Sequence, residues 1–310
     1  MPSTINEEWL ENKFLTLQNG LENWIFQTYY IFRKIGLKDV FLTDIIPKEG
    51  VVIFHSGYFE KNLKPSVSQF FICVSADYGR HRYAHIHIFQ NIQQTQFQYK
   101  NGRLFLDKLF IYTRNIFIPH WTQPQIINRQ AKSKSLRKIG YFGLTQNLDV
   151  EIIDFLTEFS SKNDLEFEIV DDYLKWNDYT NFDLIIAIRS LKKGEYFNKP
   201  FSKLINAIIA GVPVISGDES SARFFKKKYF PFLSIVNSIN ELENEIFYIK
   251  DNYVDTLLTV EKYSTKLKES FPKEVIDSWS KCFETSISLF QKWRNSTLKS
   301  RELFFISREF

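Results

Sequence analysis

Between Asn198 and Ala222 the chain reads Asn-Lys-Pro-Phe-Ser-Lys-Leu-Ile-Asn-Ala-Ile-Ile-Ala-Gly-Val-Pro-Val-Ile-Ser-Gly-Asp-Glu-Ser-Ser-Ala, and these residue types in this order suit the binding of an anion. Pro200 stands at the start of a helix expected over about Phe201–Ala210, whose first amides have no intrahelical partner, and Lys203 lies in its first turn. Unpaired N–H groups, the positive end of the helix dipole and one ammonium together suit a diphosphate. Gly211 then closes the helix, and Gly217-Asp218-Glu219-Ser220 opens another helix start after a short strand, so Glu219 and Ser220 are candidates to touch a nucleotide or its phosphates. Arg189 follows the apolar run Leu184–Ile188, at the carboxyl end where open α/β sheets present ligand contacts, and its permanent charge suits a phosphate. The bland alternatives are a solvated lysine at 203 and a strand-end ion pair at Arg189.

These side chains need a scaffold, and the patterning supplies one. The chain alternates strand at Ile139–Phe142, helix at about Asp149–Ser161, strands at Glu166–Val170 and Leu184–Ile188, the Phe201–Ala210 helix, strand at Pro213–Ser216 and helix at about Ser220–Lys227. Such a rhythm predicts a parallel sheet with helices on both faces. Upstream, Trp9, Leu10, Phe14, Leu17, Leu21, Trp24 and Ile25 recur at helical spacing, so the stretch from Glu7 to Ile35 reads as mostly helix. Short apolar segments follow at Val40–Leu42, Val51–Phe54, Phe70–Val74, His85–Phe89 and Leu109–Tyr112. Several are apolar at nearly every position, as a strand covered on both faces must be. The polar, basic, aperiodic stretch Ala131–Lys138 marks a boundary, and from Ile239 onward the chain reads as helices, ending in a stripe of Val275, Ile276, Trp279, Phe283, Ile287, Phe290 and Trp293. The expected organisation is an N-terminal α/β domain over 1–130, a C-terminal α/β domain over 131–272 and a terminal helix over 273–310. Two α/β domains whose strand ends face each other would enclose a cleft, the natural place for a ligand.

Composition narrows the function classes. With 310 residues, 44% apolar and 31 Phe among them, the chain has material for two cores and is no disordered segment. Lys and Arg number 40 against 36 Asp and Glu, too small a surplus for a protein that coats nucleic acid. Up to Arg129 there are 14 basic and 10 acidic residues, so the whole surplus and all five histidines lie in the first part. Cys73 and Cys282 are far apart among apolar neighbours and read as buried thiols of a reducing compartment, by default the cytoplasm. The polar, acidic start lacks a secretory signal, and no apolar run approaches the ~18 residues of a membrane span.

At the 198–222 segment the sequence resembles a family. Lys-Leu-Ile-Asn-Ala-Ile-Ile-Ala-Gly-Val-Pro-Val-Ile is similar to the nucleotide-sugar-binding segment of GT-B glycosyltransferases, and its Lys-Leu-x-Asn-Ala-x-x-Ala-Gly spacing resembles the second-domain motif of fucosyltransferase-like enzymes. Tyr141-Phe142-Gly143 is similar to the glycine loop after the first strand of a GT-B second domain. More faintly, Ala76-Asp77 through Gln90-Asn91 and Ile118-Pro119-His120-Trp121-Thr122-Gln123-Pro124 resemble bacterial glycosyltransferases. The specific likeness covers about 25 residues. It implies that Lys203 contacts the donor diphosphate, and it sets Gly143 and Asn206 beside the donor with Arg189, Glu219 and Ser220. It also implies a GT-B arrangement of two Rossmann-like domains with an interdomain cleft, the terminal helix returning to the first domain. Retaining members carry two glutamates eight positions apart, where this chain has Asn198 and Asn206, and the fucosyltransferase-like motif has a glutamate where this chain has Ser202. Donor binding therefore transfers better than donor identity or stereochemistry, and the missing glutamate pair gives a weak preference for inversion.

An inverting transfer needs a base for the acceptor hydroxyl, which a GT-B enzyme would draw from its first domain. His55, directly after the strand at Val51–Phe54, and Asp77, after the one at Phe70–Val74, are the candidates; helix capping or a buried hydrogen bond is the alternative for each. His85 and His87 are two apart on one strand face, but without a Cys or carboxylate at companion spacing a structural role outweighs a metal site. Arg80-His81-Arg82 suits an anionic acceptor or a solvated loop, and His120-Trp121 an aromatic hinge or a sugar platform. The basic, aromatic terminal helix packs across the domains or lies on a membrane surface, and the tail Leu303-Phe304-Phe305-Ile306 docks, dimerises or touches lipid.

The reading that joins these observations is a cytoplasmic, metal-independent glycosyltransferase, in contact at most with the inner face of a membrane. It would move a hexosyl or deoxyhexosyl group from a nucleotide diphosphate sugar to a glycan or glycoconjugate, as in polysaccharide biosynthesis, with no cofactor and no nucleic-acid partner. A noncatalytic glycan- or nucleotide-binding protein of the same fold is the rival, and oligomeric state is not legible.

Overall fold

The computed structural model describes residues 7–15, 17, 20, 22–59, 63–97, 110–130, 134–192, 194 and 196–309. The chain forms two compact units, Met1–Trp121 with Glu274–Phe310, and Thr122–Lys273.

The first unit opens with helix α1 (Glu7–Leu15), a π-helical turn at Glu22–Phe26 and α2 (Gln27–Lys34). Its sheet holds β1 (Gly50–His55), β2 (Gln69–Val74), β3 (Ile86–Phe89) and β4 (Arg114–Phe117), parallel throughout and in that spatial order, with α3 (Ile92–Phe97) after β3. Every residue of β2 and β3 is buried, the outcome expected of strands apolar at nearly every position. The shared direction and register bring His55, the last residue of β1, and residues that follow the other strands, among them Asp77, Gln90 and His120, to one edge of the sheet.

The second unit holds β5 (Lys138–Phe142), α4 (Val150–Lys162), β6 (Glu166–Val170), β7 (Leu184–Ala187), α5 (Ser202–Ile209), β8 (Val214–Gly217), α6 (Ser220–Lys228), β9 (Ser234–Val236) and α7 (Ile239–Asp251). Its parallel sheet runs β6-β5-β7-β8-β9. The chain steps from β5 to β6 on one side, then crosses back to β7 on the other side of β5 and continues to β8 and β9, so the strand order reverses between β5 and β7. Loops leaving the carboxyl ends of those two strands diverge to opposite faces and leave a crevice there. Tyr141, Ile152, Leu156, Leu184, Ile186, Ile215, Leu242 and Ile246 form the core between sheet and helices.

A single helix, α8 (Tyr253–Asn295), belongs to the second unit up to Lys273 and to the first from Glu274, carrying Pro272 in its interior. Its first part packs on the second unit, where Ser264 Oγ donates to Ile209 O at 2.7 Å and Phe271 meets Phe201 edge-on. Its last part and α9 (Leu298–Ile306) cover the first sheet. There Trp279 meets Trp24, Phe283 meets Phe32 and Phe290 meets Phe70. Of the tail Leu303–Ile306, the two phenylalanines are core, Phe304 stacking on His85 at 4.2 Å and Phe305 packing on Phe71 and Tyr83, while Leu303 and Ile306 are exposed.

Several expectations change. Val40–Leu42 is no strand: the segment is loop and Phe41 is 80% exposed, because no neighbouring backbone pairs with it. The strand expected over Leu109–Tyr112 is displaced to Arg114–Phe117; Leu109 lies outside the described residues, and Tyr112 sits in a turn with its ring on Trp293. The Glu7–Ile35 helix is broken into three pieces, and β9 had no counterpart in the reading. The first boundary falls at Trp121/Thr122 instead of 130/131, since residues 122–130 bind the second unit: Arg129 N donates to Ala210 O at 2.9 Å, and its side chain forms a buried ion pair with Asp183 at 2.7 Å. Of the basic stretch Ala131–Lys138, residues 131–133 lie outside the described residues. The terminal helix begins at Tyr253, well before the expected 273.

Candidate functional site

The crevice between β5 and β7 gathers Gly143, Arg189, Lys203 and Glu219. Gly143 directly follows β5, Arg189 lies two residues after β7, and Glu219 precedes α6. Lys203 stands in the first turn of α5, a helix anchored by buried Leu204, Ile205, Ala207, Ile208 and Ile209 and stopped by Gly211 at φ +81°. No side chain caps that first turn. Arg189, Lys203, Glu219, Ser216 and Ser221 line a small pocket over Phe201 and Leu204. Its volume is ≈ 10 Å³, room for about one water, so any larger ligand meets these groups at the mouth.

Lys203 Nζ lies 4.0 Å from the centre of the Tyr141 ring, and among the described residues it has no hydrogen bond or ion pair. Burial, reinforced by the Arg189 cation and by Lys199, holds its ammonium well below the usual lysine range, with Glu219 acting in the opposite sense. Gly143 makes the approach possible. A Cβ there would come 2.7 Å from Nζ, and its φ of +151° is one that other residues rarely adopt.

Arg189 is ion-paired with Glu219 through Nη1 and Oε2, and Glu219 is 3% exposed. The other carboxylate oxygen, Oε1, is buried without a hydrogen-bond partner, as is the Tyr141 hydroxyl, whose pKa burial pushes up to about 12. An orphaned acceptor and an orphaned donor beside two cations leave the site with unmet hydrogen-bonding capacity. Arg189 therefore forms the strand-end ion pair that the sequence allowed, and it also lines the pocket.

The remaining donor-side residues divide. Ser220, the first residue of α6, is buried, but Ser221 beside it lines the pocket. Asn206, one turn beyond Lys203, accepts the Gln123 amide at 3.1 Å and so pins the segment entering the unit. Tyr141, Ser216 and Ser221 were missed as site residues. Their signal was position alone: the inward side of a strand that ends at the switch point, a strand end, and the start of a helix.

In the first unit, His55 Nδ1 accepts the Gly57 amide at 3.2 Å and caps the short turn after β1. The neutral ring then carries its proton on Nε2, which is shielded from solvent. Burial lowers the His55 pKa to about 4 against the pull of the Asp77 carboxylate, so the ring neither holds an accessible lone pair nor readily takes up a proton. Asp77 is exposed, follows Ala76 at a φ of +42°, and accepts Gln90 Nε2 at 2.7 Å, while Trp24 Nε1 donates to Gln90 Oε1 at 3.3 Å. His120 meets the Trp24 ring edge-on and has Nδ1 2.6 Å from Trp121 O, and the Trp121 indole donates to Thr28. His85 lies between Phe70 and Phe304 and accepts the Phe71 amide at 3.0 Å, and His87 Nε2 is 3.1 Å from His81 O. Both roles are structural. Among the described residues no group of three or more His, Cys, Asp or Glu is placed to hold a metal ion.

No protein-family model matches the chain, and no curated protein matches it in sequence. Among solved structures it is similar to TarM, at 15% identity and a TM-score of 0.41 over 77% of this chain and 57% of that one. It is similar to sucrose-phosphate synthase from Thermosynechococcus elongatus, at 12% identity and a TM-score of 0.46 over 79% and 73% of the two chains. It is also similar to AviGT4, a glycosyltransferase involved in avilamycin A biosynthesis, at 12% identity and a TM-score of 0.42 over 85% and 78%. The chain spans little more than half the length of TarM. These likenesses, all below a TM-score of 0.5, set no residue's role here. Among the described residues no helix is long and apolar enough to cross a membrane.

Proposed function

We propose that the chain is a metal-independent glycosyltransferase whose second unit binds a nucleotide diphosphate sugar and whose first unit serves a glycan or glycoconjugate acceptor. The observation that carries the reading is Lys203 Nζ, set at the switch-point crevice beside Arg189 with no acceptor among the described residues. An amine kept without an internal partner at the uncapped start of a helix is suited to an oxyanion from outside.

In the proposed reaction an acceptor hydroxyl attacks the anomeric carbon as its proton passes to a base. The bond from that carbon to the diphosphate oxygen breaks, and its electron pair leaves on the diphosphate. Lys203 and the first amides of α5 meet the charge that grows on that oxygen. Arg189 joins them to the extent that the ligand competes with Glu219 for it. Asp77, exposed and oriented by Gln90, suits the base better than His55, and attack opposite the leaving group would invert the sugar. Hexosyl or deoxyhexosyl transfer in the cytoplasm, toward a polysaccharide, is the finer form of this reading.

A thermal-shift screen with UDP, GDP, CDP, dTDP and their monophosphates tests it, because a ligand bound only by the native state raises the midpoint. The reading expects one diphosphate to stabilise the wild type and not a folded Lys203→Ala protein. A response that survives Lys203→Ala removes that residue from the site, and binding without turnover of any sugar derivative favours the noncatalytic protein.

A further inference from the structure

Four groups face Lys203 Nζ: the Tyr141 ring from β5, Arg189 from the end of β7, Lys199 from the loop before α5, and Glu219 from the loop before α6. Glu219 is the one carboxylate among them, and its Oε2 is already paired with Arg189. Arg189 and Glu219 cancel, Lys199 adds a positive charge, and the aromatic face is a weak substitute for water. A charged ammonium has three protons to place, and among the described residues it finds no oxygen to receive them. Desolvation, surplus positive charge and missing acceptors all favour the neutral amine.

We propose that the pocket takes its anion together with a proton: Lys203 is uncharged while the pocket is empty and becomes an ammonium as a diphosphate binds. This rests on the reading of the pocket as a diphosphate site. A diphosphate brings oxygens and at least two negative charges into the place where Nζ lacks both, which reverses each of the three effects. The proton comes from solvent and ends on Nζ. Affinity therefore falls as pH rises through the range in which the empty pocket holds an amine and the filled one an ammonium, by tenfold per pH unit for one proton taken up. The residue that meets the diphosphate would then also make its capture and release sensitive to pH.

Two measurements test this. In protein labelled with [13Cε]lysine, the Lys203 resonance, assigned by its loss in Lys203→Arg, should titrate well below the other lysines, and should move toward them in Arg189→Gln, where a cation is removed and Glu219 is released. Titration alongside the other lysines overturns the proposal. Calorimetry of UDP and GDP at pH 8, where their phosphates are fully ionised, is run in buffers of different ionisation enthalpy. It should show about one proton taken up per ligand in the wild type and none in Lys203→Arg. Binding with equal enthalpies in the buffers overturns proton uptake and leaves the diphosphate site standing. A low-titrating lysine with no binding by any of these ligands overturns both.

Discussion

Replacing Gly143 by alanine separates the ligand-binding role proposed for Lys203 from the stability of the unit that carries it. Two costs are expected. The φ of +151° belongs to a region that costs a residue with a Cβ ~1–3 kcal/mol, felt in folding. The new Cβ would also stand 2.7 Å from Nζ, and because the lysine tip is flexible the clash is relieved by moving Nζ away. Losing its charge-assisted hydrogen bond to a diphosphate costs ~1.5–3 kcal/mol, or about 10- to 150-fold in Kd. Gly211→Ala is the matched control. It too forces a positive φ, +81°, at ~1–2 kcal/mol, but nothing lies within 4 Å of its Cβ. The assay pairs urea midpoints with calorimetric Kd values for the stabilising diphosphate. Both variants should lose stability, and only Gly143→Ala should lose affinity. A Gly143→Ala protein that binds within about threefold of wild type, or a Gly211→Ala protein that loses affinity equally, would refute the argument.

Three further outcomes are expected. His85 and His87 are buried and held well below the ordinary 6.5, chiefly by burial, so below that pH the folded first unit binds fewer protons than the unfolded chain. Their contribution is complete above pH 6.5 and is lost as pH falls below it, at up to about 1.4 kcal/mol per pH unit each. Five of the six tryptophans lie in that unit, so its urea midpoint by tryptophan fluorescence should drop from pH 7.5 to 5.5; an unchanged midpoint speaks against the buried neutral rings. Asn206→Ala strips the Gln123 amide of this acceptor and should destabilise the second unit by ~1–3 kcal/mol with Kd unchanged, whereas a tenfold rise in Kd would return Asn206 to the ligand site. Phe304→Ala should cost the first unit ~3–5 kcal/mol in chemical denaturation, and a cost under 1 kcal/mol would mean that Phe304 is not core.

The second unit was legible almost element by element because its signals are local and redundant. Glu166–Val170 is a strand as read, and the others shift by a residue or so at their ends. Apolar runs of four or five residues between helices of clean period admit few alternatives. The first unit was less legible where pairing decided. Val40–Leu42 has strand-like residues and no partner, and Arg114–Phe117 has two polar residues and a partner in β3. Ser234–Val236 is a strand only because β8 lies beside it.

For the candidate site, residue types along the chain pointed to Lys203, Arg189, Glu219 and Gly143, since an ammonium in a helix's first turn, a guanidinium at a strand end and a glycine after a strand are each meaningful locally. What sequence could not hold is who meets whom. Arg189 and Glu219 are thirty positions apart and form one ion pair, Tyr141 lies under Lys203, Asn206 turns to Gln123, and His55 turns its lone pair to the Gly57 amide. Those outcomes are set by distances of a few ångströms between segments remote in the chain. Periodicity and residue type act over a turn of helix or a length of strand, and only the packing of the sheet and its helices converts them into charges that cancel, lone pairs already used, and a buried lysine set over an aromatic ring.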